Sequence, residues 1–493
     1  MESLGISYRA VGPELILAAT GVLVMLLEAF SPGRKTRDGV LTAAGLVLAG
    51  TMTLTLWDEG SFTAFSRMII VDGFRVFFTL VILLGTLLTL FISWGFLDEE
   101  RIPPGEYFAL LLFGTVGMTL LVASQDLVMI FLALETITIA TYVLAGYRRE
   151  DVRSTESALK YFILGAFSSA FLVYGIALIY GATRTTNLAE MARVLSGPLA
   201  RAEFVLVMAG AAMLLVGFGF KVAAVPFHVW TPDVYEGAPT PVTAFLSTAP
   251  KAAGFAAFLR VFSLTFAPVG IESAADRLAS HWVAIVTAMS ILSMTFGNFI
   301  AIAQTNIKRM LAYSSIAHAG YVLMGVLARD WAAVAFYMLV YTIMNLGCFA
   351  IVALWARRGD ERVRIADYAG LGFRQPLLSF PLAIFLVSLA GFPGTAGFVA
   401  KFWLFKSAWG AGFPELVLIG VLNTVVSVYY YLYVVIVMFF REPMEDVPRV
   451  PLPRAFAATL LVALVGIFYL GLLPTRVFAI LNAAQTVLAI GPR

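Results

Sequence analysis

The chain has 493 residues, of which 60% are hydrophobic and 13% charged, with a formal net charge of +3. Soluble domains carry about 25% charged residues, and the mean hydropathy here is +0.91, so the composition is that of an integral membrane protein. The small net charge gives no argument for nucleic acid, and the single cysteine, Cys348, rules out an internal disulfide or a cysteine-ligated cluster.

A spanning helix needs about 20 apolar residues, and roughly fourteen such segments fit the sequence. The N-terminal MESLGISYRAVGPE carries Glu2 and Glu14 where a signal peptide carries basic residues, so the first apolar run is read as a retained helix. Spans are expected at 13–30, 39–57, 74–96, 107–123, 127–147, 157–180, 203–229, 240–262, 282–304, 311–328, 332–356, 377–408 with an interruption, 413–440 and 454–473. A last apolar stretch, 477–490, is short and is expected along the membrane surface. Basic clusters follow alternate helices: Arg34, Lys35 and Arg37; Arg148, Arg149 and Arg153; Lys308 and Arg309; Arg357, Arg358, Arg362 and Arg364; Arg441 and Arg449. The positive-inside rule then puts these loops in the cytoplasm and both termini on the periplasmic side, with Arg184, Arg193 and Arg201 running against it in a long loop.

Several charges fall inside the apolar runs. Asp126 precedes its run and reads as a helix N-cap. Glu135, in FLALETITIATYVLAGY, lies roughly eight residues into its helix, about 12 Å deep at 1.5 Å per residue. Such an acid is either protonated or paired with a cation, and Lys221 is the expected partner, as a static ion pair or as one member of a proton relay. Lys160 follows Glu156 by four residues and shares its helix face, which suits a snorkelling surface pair as well as a relay role.

Residues 217–251, GFGFKVAAVPFHVWTPDVYEGAPTPVTAFLSTAPK, hold Lys221, five prolines and Lys251. Proline cannot donate a helix hydrogen bond and clashes with the preceding turn, so the helix is expected to break near Pro226 and restart. Irregular backbone at membrane depth is tolerated only against protein or a watery cavity, and a charge at the bilayer centre costs roughly 2.5–3.5 kcal/mol on insertion scales. A buried lysine without an acid, as Lys251 is in the sequence, can exchange its proton near neutral pH, unlike a surface lysine near 10.4; snorkelling is the alternative. His228 is either a bridge between these lysines or a packed histidine, and His318, in YSSIAHAGY, poses the same choice. Lys308 and Arg309 read as loop charges, and the roles of Asp233 and Glu236 stay open.

The segment FKVAAVPFHVWTPDVYEGAPTPVTAFLSTAPKAA resembles the signature of the antiporter-like membrane subunits of respiratory complex I (NADH:quinone oxidoreductase), and within them the branch called subunit N. The resemblance extends from about Tyr107 to Phe440. It implies a proton-translocating subunit of a bacterial inner membrane, lying among other complex I membrane subunits and small helical subunits, with protons carried through Glu135, Lys221, Lys251 and Lys401, and with a lysine also at the place of Lys160. It implies further that NADH, FMN, iron–sulfur clusters and quinone belong to partner subunits, with no cofactor or metal in this chain. Lysine at position 401 agrees with subunits N and L, glutamate being typical of M; L carries a long C-terminal lateral helix, for which little chain follows Phe440.

The expected fold is an all-α polytopic membrane protein of about 14 transmembrane helices. Two blocks of five helices, 107–262 and 281–440, each hold an interrupted helix, near Pro226 and at GFPGTAG (391–397), with Lys221 and Lys401 alongside. An odd number of helices makes successive blocks inverted, the design of many transporters. Residues 1–106 form an N-terminal three-helix segment and 441–493 a C-terminal helix and tail. Three histidines without haem spacing, and no phosphate loop or HExxH, give no redox site of its own. The rival readings are an Mrp-type cation/proton antiporter subunit, which shares the fold and the lysines, and a purely structural membrane spacer.

Overall fold

The computed structural model describes residues 7–99, 103–266, 273–356, 362–442 and 450–489. Glu2, Arg357, Arg358 and Arg449 lie outside the described residues. The N-terminal segment contains α1 (Gly12–Phe30), α2 (Lys35–Thr55) and α3 (Gly73–Glu99), with a small antiparallel hairpin, β1 (Phe62–Ala64) and β2 (Ile69–Val71), before α3. Then come α4 (Pro104–Ala123), α5 (Leu127–Ala145), α6 (Val152–Thr183), the short α7 (Leu188–Leu195) and α8 (Arg201–Val222). The broken region follows as α9 (Thr231–Gly237), α10 (Thr240–Ser247) and α11 (Ala249–Phe258), which continues as a π-helical stretch, Leu259–Thr265. The remainder is α12 (Ala274–Ile302), α13 (Ile307–Leu327), α14 (Trp331–Trp355), the one-turn α15 (Leu371–Arg374), α16 (Pro376–Ala390), α17 (Ala396–Gly410), α18 (Pro414–Phe440), α19 (Arg454–Leu472) and α20 (Thr475–Ala489).

Among the described residues thirteen spans are long and apolar enough to cross a membrane. The fourteenth expected span is the pair α16 and α17, each of 15 residues, separated by Gly391–Thr395. The span made by α10, α11 and the π-helical turn is buried throughout its apolar window, and α13 nearly so, whereas only a minor part of the α6 window is buried. The broken segment is therefore the centre of the bundle.

The expected helix 203–229 ends earlier, at Val222, because the chain turns at Ala223, which adopts φ +59°. Pro226 lacks an N–H and disfavours helix at Val225, so the helical ladder fails upstream of the proline itself. The freed Val225 N–H is taken by Ser293 Oγ at 2.9 Å. The next expected helix, 240–262, is likewise two pieces, interrupted at Thr248 just before Pro250. The expected surface stretch 477–490 is the helix α20, which docks on the bundle: Phe478 packs on Phe336 and Trp403, and Ala484 lies against Gly73.

Asp126 caps α5 as expected, accepting from the Val128 N–H at 2.8 Å and from Thr186 Oγ1 at 2.6 Å. The loop after α6 is built rather than loose: Asn187 caps α7 and its amide donates to Arg67 O in the hairpin turn at 2.8 Å. At this same end of the bundle lie two buried ion pairs that the sequence pattern did not point to. Arg75 donates to both oxygens of Glu14 at 3.0 Å. Arg260, in the π-helical turn, grips Asp72 in two parallel bonds of 2.9 and 2.8 Å, donates to Val122 O at 3.0 Å, and lies over the Phe74 ring. Together they tie α1, α3, α4 and the end of α11. The described basic residues after alternate helices gather at the opposite end. There Lys35 donates to Trp94 O, Arg149 meets Glu106, and the 305–309 and 363–365 segments exchange backbone hydrogen bonds.

Removing one partner of a buried pair leaves the other charge uncompensated, which costs about 3–5 kcal/mol. Asp72→Ala is therefore expected to lower the thermal unfolding temperature of the detergent-solubilised protein markedly; unchanged unfolding would show that Arg260 finds another partner.

Candidate functional site

Lys221, one residue before the end of α8, is buried, and among the described residues its Nζ meets no hydrogen-bond partner. The expected contact with Glu135 is not an ion pair. Glu135 is only half-buried on α5 and accepts a hydrogen bond from Ser169 Oγ on α6. It opens to a groove of about 570 Å³ bordered by Phe131, Ala166, Ser169 and Tyr174. Between the two charges is a cavity of about 20 Å³ lined by Thr138, Ser168, Ser169 and Lys221. That is room for one water, and an ammonium in an apolar interior needs such a partner. Glu135 and Lys221 are thus separated by Ser169 and this cavity rather than in direct contact.

Lys251, at the start of α11, is buried and donates to Ser315 O at 3.1 Å and also to the Ser315 hydroxyl. That hydroxyl accepts from Tyr341 OH at 2.6 Å. A snorkelling position is therefore ruled out: the amine is turned into the bundle. The stem of Lys221 packs on α11 at Gly254, where an added Cβ would stand 3.2 Å from Lys221 Cγ, and Gly254 lies about one turn from Lys251.

His318 sits between Lys251 and Lys401. Its Nδ1 pairs with Tyr337 OH at 2.6 Å and its Nε2 with Tyr431 OH at 3.2 Å, while Ser314 also bonds to Tyr431. Its ring lies 5.1 Å from Tyr341 on one side and 5.9 Å from Tyr321 on the other. Lys401 is buried on α17, with Nζ 4.9 Å above the Tyr321 ring. It donates to Leu389 O at 3.0 Å and Ala390 O at 3.1 Å, the last carbonyls of α16, whose partial negative charge suits a cation. The break supplies these carbonyls. Gly391 closes α16 at φ +88°, a left-handed turn that glycine adopts without strain, and a Cβ there would stand 3.1 Å from Lys401 Cδ.

His228 is not brought into this row. It lies half-buried in the loop before α9, and its inward Nδ1 has no hydrogen-bond partner among the described residues. Lys160 is at the bundle's edge, bonded to Glu156 at 2.8 Å and to Asp233 at 2.7 Å.

Lys308 and Arg309, expected as loop charges, are instead structural members of this edge cluster. Lys308 is buried and donates to Glu236 O and Ala238 O at 2.7 and 2.8 Å, closing the C-terminus of α9. Arg309 bonds Asp233 at 2.9 Å and Glu236 at 2.8 Å, and Asn306 also reaches Glu236. Partial burial favours the acid form of Asp233, but the Lys160 and Arg309 hydrogen bonds outweigh it and hold the carboxyl below its usual range. Sequence reasoning missed Ser315, Tyr337, Tyr341 and Tyr431. One signal was present: Ser314, Ser315 and His318 share a helix face, as do Tyr337 and Tyr341.

The sequence model of the family described as NADH:quinone oxidoreductase/Mrp antiporter, TM, matches residues 124–427. A relative from Trichlorobacter lovleyi, called NADH-quinone oxidoreductase subunit N, is 43% identical over 96% of this chain and 96% of its own. The chain belongs to the NADH:quinone oxidoreductase/Mrp antiporter family. Its fold is similar to a chain of the respiratory complex I from Thermus thermophilus with bound aureothin, at TM-score 0.81 and 36% identity, covering 95% of this chain and 98% of that one. A chain of the Mrp complex from Dietzia sp. shares the fold at TM-score 0.82 but only 22% identity, covering 98% and 97%.

Because the carboxyl of Asp233 is held low by its cations, the stability it lends to α9 is complete above the ordinary carboxylate value of 3.8 and is lost as pH falls through the lower folded value. The protection of the 231–238 amides, measured against their intrinsic exchange rates, is expected to fall on acidification through that lower value. Asp233→Asn should show the reduced protection already at neutral pH; full protection in that variant would mean that the ion pairs do not hold α9.

Proposed function

We propose that this chain is the antiporter-like subunit N of a proton-translocating NADH:quinone oxidoreductase, and that it moves protons through Glu135, Lys221, Lys251 and Lys401. The observation that carries the reading is the row of three buried lysines, each placed differently. Lys221 faces a cavity of one water's size, Lys251 lies on a serine–tyrosine pair, and Lys401 rests on the carbonyls of a broken helix. His318 and its tyrosines stand between the last two.

Each site can hold one positive charge, and like charges in a medium of low dielectric repel strongly. Loading a proton on one lysine therefore disfavours it on the next, so charge advances by alternation along the row. Ser169, Ser315, Tyr341 and His318 are the groups that pass hydrogen bonds between them. Electron transfer from NADH through FMN and iron–sulfur clusters to quinone takes place in partner subunits, and the conformational or electric change it sets up reaches this chain through neighbouring membrane subunits.

The two blocks 107–262 and 281–440 are read as inverted repeats, with Lys221 and Lys401 as counterparts beside the two breaks. The gathering of basic residues around Lys35, Arg149, Arg309 and Arg364 supports a cytoplasmic placement for that end, with both termini periplasmic. The name of the relative from Trichlorobacter lovleyi and its identity of 43% favour complex I over an Mrp-type subunit, the chain of the Dietzia Mrp complex being 22% identical.

In the assembled complex in sealed vesicles, Lys221→Ala and Glu135→Gln are each expected to slow proton-coupled quinone reduction roughly 10²-fold, the low side of proton-transfer contributions, with assembly unchanged. Normal proton pumping by an assembled Lys221→Ala complex would remove Lys221 from the relay; a change in assembly alone would favour a spacer role.

A further inference from the structure

A layer of aromatic rings lies between the edge cluster and the Lys221 cavity. Tyr161, next to Lys160 on α6, is buried and stacks on Trp230 with centroids 4.6 Å apart and planes at 14°. Phe220, the neighbour of Lys221, lies 6.1 Å from Tyr161 and 5.3 Å from Trp230. Tyr142 meets Tyr161 edge-on at 4.8 Å, and its hydroxyl fills the space at Gly165 where a Cβ would stand. The order along α6 is thus Lys160 with its acids, then Tyr161, then Gly165, then Ser168 and Ser169 on the cavity. From Lys160 to Ser168 is about 12 Å of helix, and the rings occupy that interval.

Aromatic residues at a membrane interface ordinarily turn their polar tips to the headgroups. Here Trp230 is 3% exposed and Tyr161 is 1% exposed, and the indole N–H points inward, donating to Phe220 O at 3.1 Å. Trp230 therefore joins two bodies. It is bonded to the last turn of α8, which carries Lys221, and it immediately precedes α9. In turn α9 is latched on both sides by its acids, with Asp233 shared between Lys160 of α6 and Arg309 of α13. Glu236 adds a second bond to Arg309, and Glu156 stands on the far side of Lys160. A shift of α9 cannot leave Trp230 in place.

We propose that Trp230 and Tyr161 are positioning residues that separate Lys221 from water at the Lys160 end, and that the ion pairs of Asp233 with Lys160 and Arg309 hold this layer closed. The inference rests on the proton-relay reading and adds to it where the path to Lys221 is interrupted and by which residues. Loss of pumping in Lys221→Ala tests that reading; the accessibility measured below does not depend on pumping, so the two can fail separately.

Ser168 lines the cavity and does not border the lateral groove of Glu135, so a cysteine there reports on the ring layer. The chain's own cysteine, Cys348, is buried. In the intact complex carrying Ser168→Cys, reaction with a small cationic methanethiosulfonate added from the Lys160 side is expected to be slow, after subtraction of the parent complex's background. Adding Tyr161→Ala is expected to speed it at least roughly tenfold, as for a closed state that opens about a tenth of the time or less. Adding Asp233→Asn, which removes no ring but releases the latch on α9, is expected to speed it in the same direction by a smaller factor, and carries the test should the tyrosine variant fail to assemble. Fast labelling with the layer intact, or labelling unchanged by either substitution, would overturn the proposal.

Discussion

Burying an amine among hydrocarbon groups is unfavourable, and the centre of this bundle is arranged around three of them. Lys221, Lys251 and Lys401 are each nearly inaccessible, yet among the described residues none is paired with a carboxylate. In place of counter-ions they have a small cavity, a serine carbonyl and hydroxyl, and the carbonyl end of a half-helix. These partners are neutral, so they accommodate an ammonium without fixing its charge permanently. A salt bridge would hold the proton in place. The dependence on neutral partners is what makes the site suited to exchange.

At Lys401 a backbone interruption provides the partner, whereas Ser315 and the cavity lining belong to regular helices. Pro226 and Pro250 break the central span on either side of α9 and α10, and Gly391 ends α16 where its carbonyls meet Lys401. A continuous helix would satisfy those carbonyls internally and offer Lys401 nothing. The permanent ion pairs are kept at the two ends of the bundle instead: Arg75 with Glu14 and Arg260 with Asp72 at one, Asp233 and Glu236 with Lys160 and Arg309 at the other. The broken segment is thereby pinned at both ends and polar but uncharged around its middle lysine. Fixed charge pairs give rigidity, and in the proposed relay neutral hydrogen-bond partners leave the proton free to move.

Much of this was legible before any coordinates. Hydropathy gave the spans because a bilayer imposes a length on them, and proline gave the breaks because its lost N–H cannot be compensated within a helix. Lys221, Lys251, Lys401 and Glu135 announced themselves by their cost. What stayed hidden depended on distance in space rather than along the chain. Nothing near Lys308 or Arg309 in sequence says that α9 folds back over them, so two residues that read as loop charges are the clasp of the central segment. Arg260 and Asp72 are nearly two hundred residues apart, and neither run carried a signal for the other. Glu135 and Lys221 were expected in contact because opposite charges attract; the serine and the cavity between them could not be read from either helix.

The central claim, that the row is joined through water where side chains do not touch, is most directly tested by a structure of the intact complex at a resolution that shows ordered water. The account predicts a water in the Ser168–Ser169 cavity within hydrogen-bond distance of Lys221 Nζ. A dry cavity, with that amine bonded instead to a fixed protein group, would contradict it.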